Sequence, residues 1–124
     1  MPPTAVPPTA LRERLRRTLR DALRARDAVA AGALRAAIAA IDNAEAVPAA
    51  HPDGFGSAPM GAVGVGAAEV PRRTLDGDEI LRIVRAEAAD RMAAAAQFER
   101  LGQVDAAARM RAGAELLTAI TDAG

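Results

Sequence analysis

Cysteine is absent from this 124-residue chain, and its absence excludes several kinds of site. Without thiols there is neither a disulfide framework nor a thiolate to act as nucleophile or metal ligand. The only histidine, His51, lies in a segment rich in proline and glycine, with no second histidine to share a metal ion. We interpret His51 as a solvated loop side chain. We expect no metal, no cofactor and no catalytic residue.

Long apolar runs and most aromatic side chains are also missing. No apolar stretch approaches the roughly 18 residues of a membrane span, and the first residues lack the apolar core of a signal peptide. The sequence therefore predicts a cytoplasmic protein without a membrane association. Only 2% of the residues are aromatic, which leaves few rings to stack on nucleic-acid bases.

Lysine is absent too, so all sixteen basic residues are arginines, balanced by sixteen acids. The balance is uneven along the chain. Residues 10–27 hold seven arginines and three acids, a local charge of +4, and residues 28–124 therefore carry −4. The basic charge is concentrated in the first helical segment, where a polyanionic partner would be attracted.

Two rows with a spacing of four residues run through this basic segment. The first row is Leu11, Leu15, Leu19 and Leu23, and the second is Arg12, Arg16, Arg20 and Arg24. At about 100° per residue the rows form adjacent faces of a helix from about residue 10 to 26. We expect the leucines to pack against another helix. Arg16, Arg20 and Arg24 are candidate RNA contacts, with a solvated charged face as the alternative.

Arg12 and Arg26 fall within the apolar sector, at the two ends of this helix. Long side chains at such positions can extend past apolar neighbours to water. We therefore expect both guanidinium groups to be solvated.

The pattern as a whole predicts an all-α protein, in which two helical hairpins form a small four-helix domain over residues 10–121. A proline-rich, disordered arm over residues 1–9 precedes this domain. A flexible linker over residues 47–74, rich in glycine and proline, joins helices two and three. The short junction at Asp27, a plausible N-cap, predicts an antiparallel first hairpin. Helix two should end near Ala46, before Pro48.

Helix three has the clearest start signal. Asp76 and Glu79 match a capping box, and Leu75 can pack on Ile80 as a hydrophobic staple. Gly102 supplies a left-handed stop. Helix four should begin near residue 104 or 105 and continue to about residue 120.

Three charged residues interrupt the apolar faces. Arg91 falls near the centre of the apolar face of helix three, Glu87 lies four residues before it, and Glu45 follows the apolar face of helix two. A charge on a buried face costs several kcal/mol unless it is paired. We therefore predict that Arg91 meets Glu87, Glu45 or both. The alternative is a pocket that binds a small anion or an RNA phosphate.

Helices two and three resemble the N-terminal region of the GatB/YqeY family. The resemblance is carried by LRAAIAAIDNAEAV in helix two and by ILRIVRAEAADRMAAAAQFERLGQVDAAARM from helix three onward. It covers roughly residues 10–120 without the linker. The best-matching positions are Arg35, Asn43, Glu45, Glu79, Glu87, Arg91, Phe98, Glu99 and Gly102. The resemblance implies an all-helical domain related to the tail of the GatB subunit of the tRNA-dependent amidotransferase, a tail associated with tRNA binding.

The chain departs from this family at several positions. Gln103 stands where the family commonly has arginine, and Gly113 replaces one of its usual glutamates. The Tyr-Leu-Pro that closes the family's first helical domain corresponds to residues 120–122. Since the chain stops at Gly124, we expect the family's second, smaller helical domain to be absent.

The resemblance implies a non-catalytic helical accessory module associated with tRNA or with the amidotransferase. The alternative is a helical module for protein interaction or oligomerisation, whose oligomeric state the sequence leaves open. A third reading is carbon-nitrogen ligase activity with glutamine as amide donor, a label the family carries. No residue of this chain is assigned to that chemistry.

Overall fold

Four α-helices contain most of the residues described by the computed structural model, which are residues 7–46 and 72–123. They are α1 (Pro8–Arg24), α2 (Ala28–Ala46), α3 (Gly77–Arg100) and α4 (Val104–Asp122). No strand occurs in these two ranges. The predicted all-α domain of two helical hairpins is therefore confirmed. Most of the predicted disordered arm, residues 1–6, and most of the predicted linker, residues 47–71, lie outside the described residues.

The ends of these two predicted segments need correction. α1 begins at Pro8, so Pro8 and Thr9 belong to the helix rather than to a disordered arm. Proline is favoured in the first helical turn because its fixed φ suits the helix and its missing N–H is not needed there. Residues 72–74, which we expected in the linker, are anchored instead. The Arg73 backbone N–H donates to the Glu45 carbonyl at 2.9 Å.

Local capping interactions set the helix ends much as the sequence predicts. The Asp27 side chain accepts a hydrogen bond from the Ala30 backbone N–H at 3.0 Å, which confirms it as the N-cap of α2. The capping box at α3 is also confirmed, since Asp76 accepts from the Glu79 N–H at 2.8 Å and Glu79 accepts from the Asp76 N–H at 3.1 Å. Gly102 adopts a φ of +76°, the predicted left-handed stop.

The core lies between the two hairpins and depends on few large side chains. Its largest fully buried members are Leu11, Leu15, Leu34, Ile41, Ile80, Val84 and Leu117. α3 and α4 pack most extensively on each other, α1 packs mainly on α2, and α2 lies against all three other helices. Leu75 and Ile80, the two residues of the predicted staple, are both buried in this core.

Leu23 does not pack as the leucine row predicts, because 46% of it is exposed. A four-residue spacing advances about 40° around the helix at each step, so Leu23 lies about 120° from Leu11. Ala22 lies only about 20° from Leu11 and is buried in its place. The leucine row therefore winds off the buried face before α1 ends.

Small residues allow α2 and α4 to approach closely. A Cβ atom added to Gly113 in α4 would lie 3.1 Å from the Ala33 Cβ in α2. Many of the remaining buried residues are alanines, among them Ala37, Ala95 and Ala114. Because each alanine buries little apolar area, such helices gain stability only where their backbones lie close together.

Two glycines within helices give a test of this close approach. Gly32 in α2 has nothing within 4 Å of an added Cβ. Gly32→Ala should therefore raise the free energy of unfolding by about 0.5 to 1 kcal/mol, the usual helix gain of alanine over glycine. Gly113→Ala should lose most of that gain, because Ala33 and Arg91 would have to move. Urea denaturation measures the free energy of unfolding of both variants. Equal stabilisation by the two substitutions would contradict the close approach of α2 and α4.

Candidate functional site

The arginine row of α1 faces solvent as predicted. Arg16, Arg20 and Arg24 are all exposed, and so is Arg17 beside them. Arg20 lies 3.7 Å from Glu13, and Arg24 lies 3.4 Å from Asp21. Ion pairs between exposed side chains contribute little, and a competing anion can replace them. Arg16 and Arg17 form none of the ion pairs found among the described residues.

The other two arginines of α1 stabilise the fold. Arg12 pairs with Glu45 near the end of α2, and its side chain is only 19% exposed. The expectation that Arg12 reaches past the apolar face to water was therefore wrong, since a carboxylate of the neighbouring helix lies within its reach. Arg14 donates to the Ile120 carbonyl near the end of α4, at 3.1 Å. The arginines of α1 thus divide between the fold and the solvent.

A groove lies beside the α1–α2 turn, at the end of the helix that has the exposed arginine row. This groove has a volume of about 350 Å³ and includes two arginines, Arg26 and Arg35, with Leu23 at its edge. Asp27 also lines it, so one carboxylate, which accepts the hydrogen bond that caps α2, lies in the groove with the two arginines. We use the name arginine surface for the exposed arginines of the first hairpin, which are Arg16, Arg17, Arg20, Arg24, Arg26 and Arg35.

Three members of the arginine surface were not among the predicted RNA contacts. Arg17 lies off the four-residue row, Arg26 lies beyond the helix, and Arg35 belongs to α2. Arg35 was noted only as a family-matching position. The Asp27 N-cap was the sequence signal for the turn in which Arg26 lies. The groove that Arg26 and Arg35 share depends on how α1 and α2 pack.

Charge on the four helices is one-sided. α1 carries six arginines and two acids, a net charge of +4. Each of α2, α3 and α4 carries one more acid than arginines, a net charge of −1. The net charge of the whole chain is zero, but the first hairpin has a net positive charge. The local electrostatic potential there favours anions.

Glu45 joins three parts of the fold. Besides pairing with Arg12, its carboxylate lies 3.9 Å from the Arg72 guanidinium, which also donates to the Asp42 carbonyl at 3.3 Å. The carboxylate therefore ties the start of α1 and the segment before α3 to the end of α2. Asn43, another family-matching position, is exposed.

Arg91 lies where α2, α3 and α4 meet. Its Nε lies 3.5 Å from a Glu87 carboxylate oxygen, and its side chain is 17% exposed. Its Nη2 donates to the Gly32 carbonyl at 3.3 Å, while Nη1 would lie 3.4 Å from a Cβ at Gly113. The predicted Arg91–Glu87 pair is confirmed. It is electrostatic, because the buried Nε has no hydrogen-bond partner in the described part of the chain.

Of the two acids predicted as partners of Arg91, only Glu87 pairs with it, and Glu45 does not. Arg91 bonds to Gly32 near the start of α2, whereas Glu45 lies near its end. Gly32 and Glu45 are thirteen residues apart in α2, which corresponds to about 20 Å along the helix. The contacts of Arg91 with Glu87 and Gly32 favour a structural role over the alternative of an anion pocket.

No family model, curated protein or solved structure matches this chain. Among residues 7–46 and 72–123, no group of three or more potential ligand side chains is placed to hold a metal ion. None of the four helices combines the length and apolar character needed to cross a membrane. The charge distribution of the first hairpin is therefore the main functional observation.

Arg91→Met tests the structural role of this arginine. We expect the free energy of unfolding to fall by about 1 to 2 kcal/mol, because Glu87 and the Gly32 carbonyl would lose a charged partner in a partly buried setting. The matched control is Arg85→Met, an exposed arginine of the same helix, which should change stability by less than about 0.5 kcal/mol. Urea denaturation that gave equal stabilities for both variants would contradict this role.

Proposed function

We propose that this chain is a helical accessory module of the GatB/YqeY kind, which binds the phosphate backbone of RNA through its arginine surface. Transfer RNA is the expected partner. The observation that carries the proposal is the concentration of exposed arginines on the first hairpin, beside helices whose own charges nearly cancel.

Spacing and chemistry support binding to phosphates. The row from Arg16 to Arg24 spans about 12 Å along the helix, at 1.5 Å per residue. Guanidinium groups donate paired hydrogen bonds to phosphate oxygens, and their binding releases counterions from the nucleic acid. Few aromatic side chains are present to stack on bases. The proposed binding is therefore largely independent of base sequence.

The family resemblance supports the proposal through Arg35, a matching position that lines the groove. Three of the other matching charges have structural contacts: Glu45 pairs with Arg12 of α1, and Arg91 pairs with Glu87 of its own helix and bonds to the Gly32 carbonyl of α2. Amide-transfer chemistry is not part of the proposal. The hydroxyls of Thr18 and Thr121, for example, donate to backbone carbonyls of their own helices.

The triple variant Arg16→Gln, Arg20→Gln, Arg24→Gln tests the arginine surface. We expect its affinity for labelled total tRNA to fall at least about tenfold at low salt. The slope of log affinity against log salt, which is negative, should become less steep by about three units, roughly one for each lost phosphate contact. Fluorescence anisotropy over a series of salt concentrations measures both quantities.

A matched control has the same change in net charge on the second hairpin. Arg82, Arg85 and Arg100 are exposed on α3, and their replacement by glutamine should change the affinity less than about twofold. An equal loss in both triple variants would show that net charge alone is responsible. No binding by the native chain at low salt would refute the proposal.

A second candidate function is self-association through the other hairpin. Leu101 and Val104, on either side of the α3–α4 turn, are each 69% exposed. Two exposed apolar side chains three residues apart at the same turn favour a protein contact.

Light scattering coupled to size exclusion tests self-association. We expect the native chain to have a mass above 12.7 kDa at high concentration. The variant Leu101→Ser, Val104→Ser should elute as a monomer, because burial of the two side chains would be lost. A native chain that stays monomeric would argue against this second function.

A further inference from the structure

The two hairpin turns have the same length and the same backbone hydrogen bonds. In the second turn, the Gly102 N–H donates to the Glu99 carbonyl and the Gln103 N–H to the Phe98 carbonyl. In the first turn, the Arg26 N–H donates to the Leu23 carbonyl and the Asp27 N–H to the Ala22 carbonyl. Both sets of bonds form the Schellman motif at the end of a helix.

The motif requires a left-handed residue at its C′ position. Gly102 has a φ of +76° and Arg26 a φ of +59°. Glycine adopts this conformation freely, whereas a residue with a Cβ is strained in it. The second turn therefore has the residue that its backbone favours, and the first turn does not. The fold alone does not account for arginine at position 26.

The surroundings of Arg26 suggest what the arginine does. It is exposed and forms none of the ion pairs among the described residues. With Arg35 it lines the groove beside the turn. The α2 side of that groove is formed by Ala28, Ala31 and Gly32, and the space around the Gly32 α-carbon is open. A tetrahedral anion therefore has room in a groove that both arginines line.

We infer that Arg26 and Arg35 form a clamp for one phosphodiester of an RNA, at the end of the arginine surface. This inference rests on the proposed function and adds a defined site to it. The exposed Leu23 at the edge of the groove offers an apolar contact to the adjoining sugar. Binding of the ligand by its side chain explains a strained arginine at an otherwise ordinary turn, a known use of backbone strain.

The decisive variant is Arg26→Gly, which should change stability and binding in opposite directions. The melting temperature should rise by about 4 °C, because the strain of a left-handed arginine is removed. The affinity for labelled total tRNA should fall about five- to tenfold at low salt. The slope of log affinity against log salt should become less steep by about one unit. Arg35→Gln should lower the affinity similarly, without the rise in melting temperature.

Gly102→Arg is the matched control in the other turn. It places the same side chain in the same backbone conformation, so the melting temperature should fall by a similar amount. The affinity for tRNA should stay within about twofold, because no phosphate clamp exists there. Melting curves and anisotropy titrations of all three variants and the native chain complete the comparison.

The outcomes separate this inference from the proposed function. The clamp alone would be overturned if Arg26→Gly and Arg35→Gln left the affinity unchanged while the Arg16, Arg20, Arg24 triple variant lost it. Lost affinity in the clamp variants with an unaffected triple variant would support the clamp and refute the arginine row. Absence of tRNA binding by the native chain would overturn both.

Discussion

The close approach of α2 and α4, where Ala33 faces Gly113, is the constraint on which the rest of this structure depends. Alanine-rich helices have little apolar area to bury, so dispersion between closely packed backbones must supply part of the stability. The same approach places the Gly32 carbonyl and Gly113 around the guanidinium of Arg91. A charge can occupy this three-helix junction because Glu87 and a backbone carbonyl accompany it.

The arginines of this chain have two distinct roles. Arg12 joins the two helices of the first hairpin, while Arg14 and Arg91 bond to backbone carbonyls across the two hairpins. The arginines on the outer side of the first hairpin have at most weak, exposed partners. Acids elsewhere neutralise the total charge without neutralising this surface, so a polyanion would meet a basic face on an otherwise balanced protein.

The two turns show how the same backbone can serve different purposes. Their hydrogen bonds are the same, yet one turn has glycine and the other arginine at the left-handed position. In the second turn the residue suits the backbone. In the first turn the side chain of the left-handed arginine lines a groove that Arg35 also lines, and we attribute the strain to the proposed binding of an anion there.

Local signals in the sequence determined the four helices, the Asp27 cap, the capping box at Asp76 and the Gly102 stop, because these depend on residues within one or two turns of each other. They also determined the exposed arginine row of α1. Only the tertiary structure decided that Arg12 pairs with Glu45, that Leu23 leaves the buried face, and that Arg26 and Arg35 share a groove. Those outcomes depend on the relative placement of helices, which packing between distant residues sets and helical periodicity does not encode.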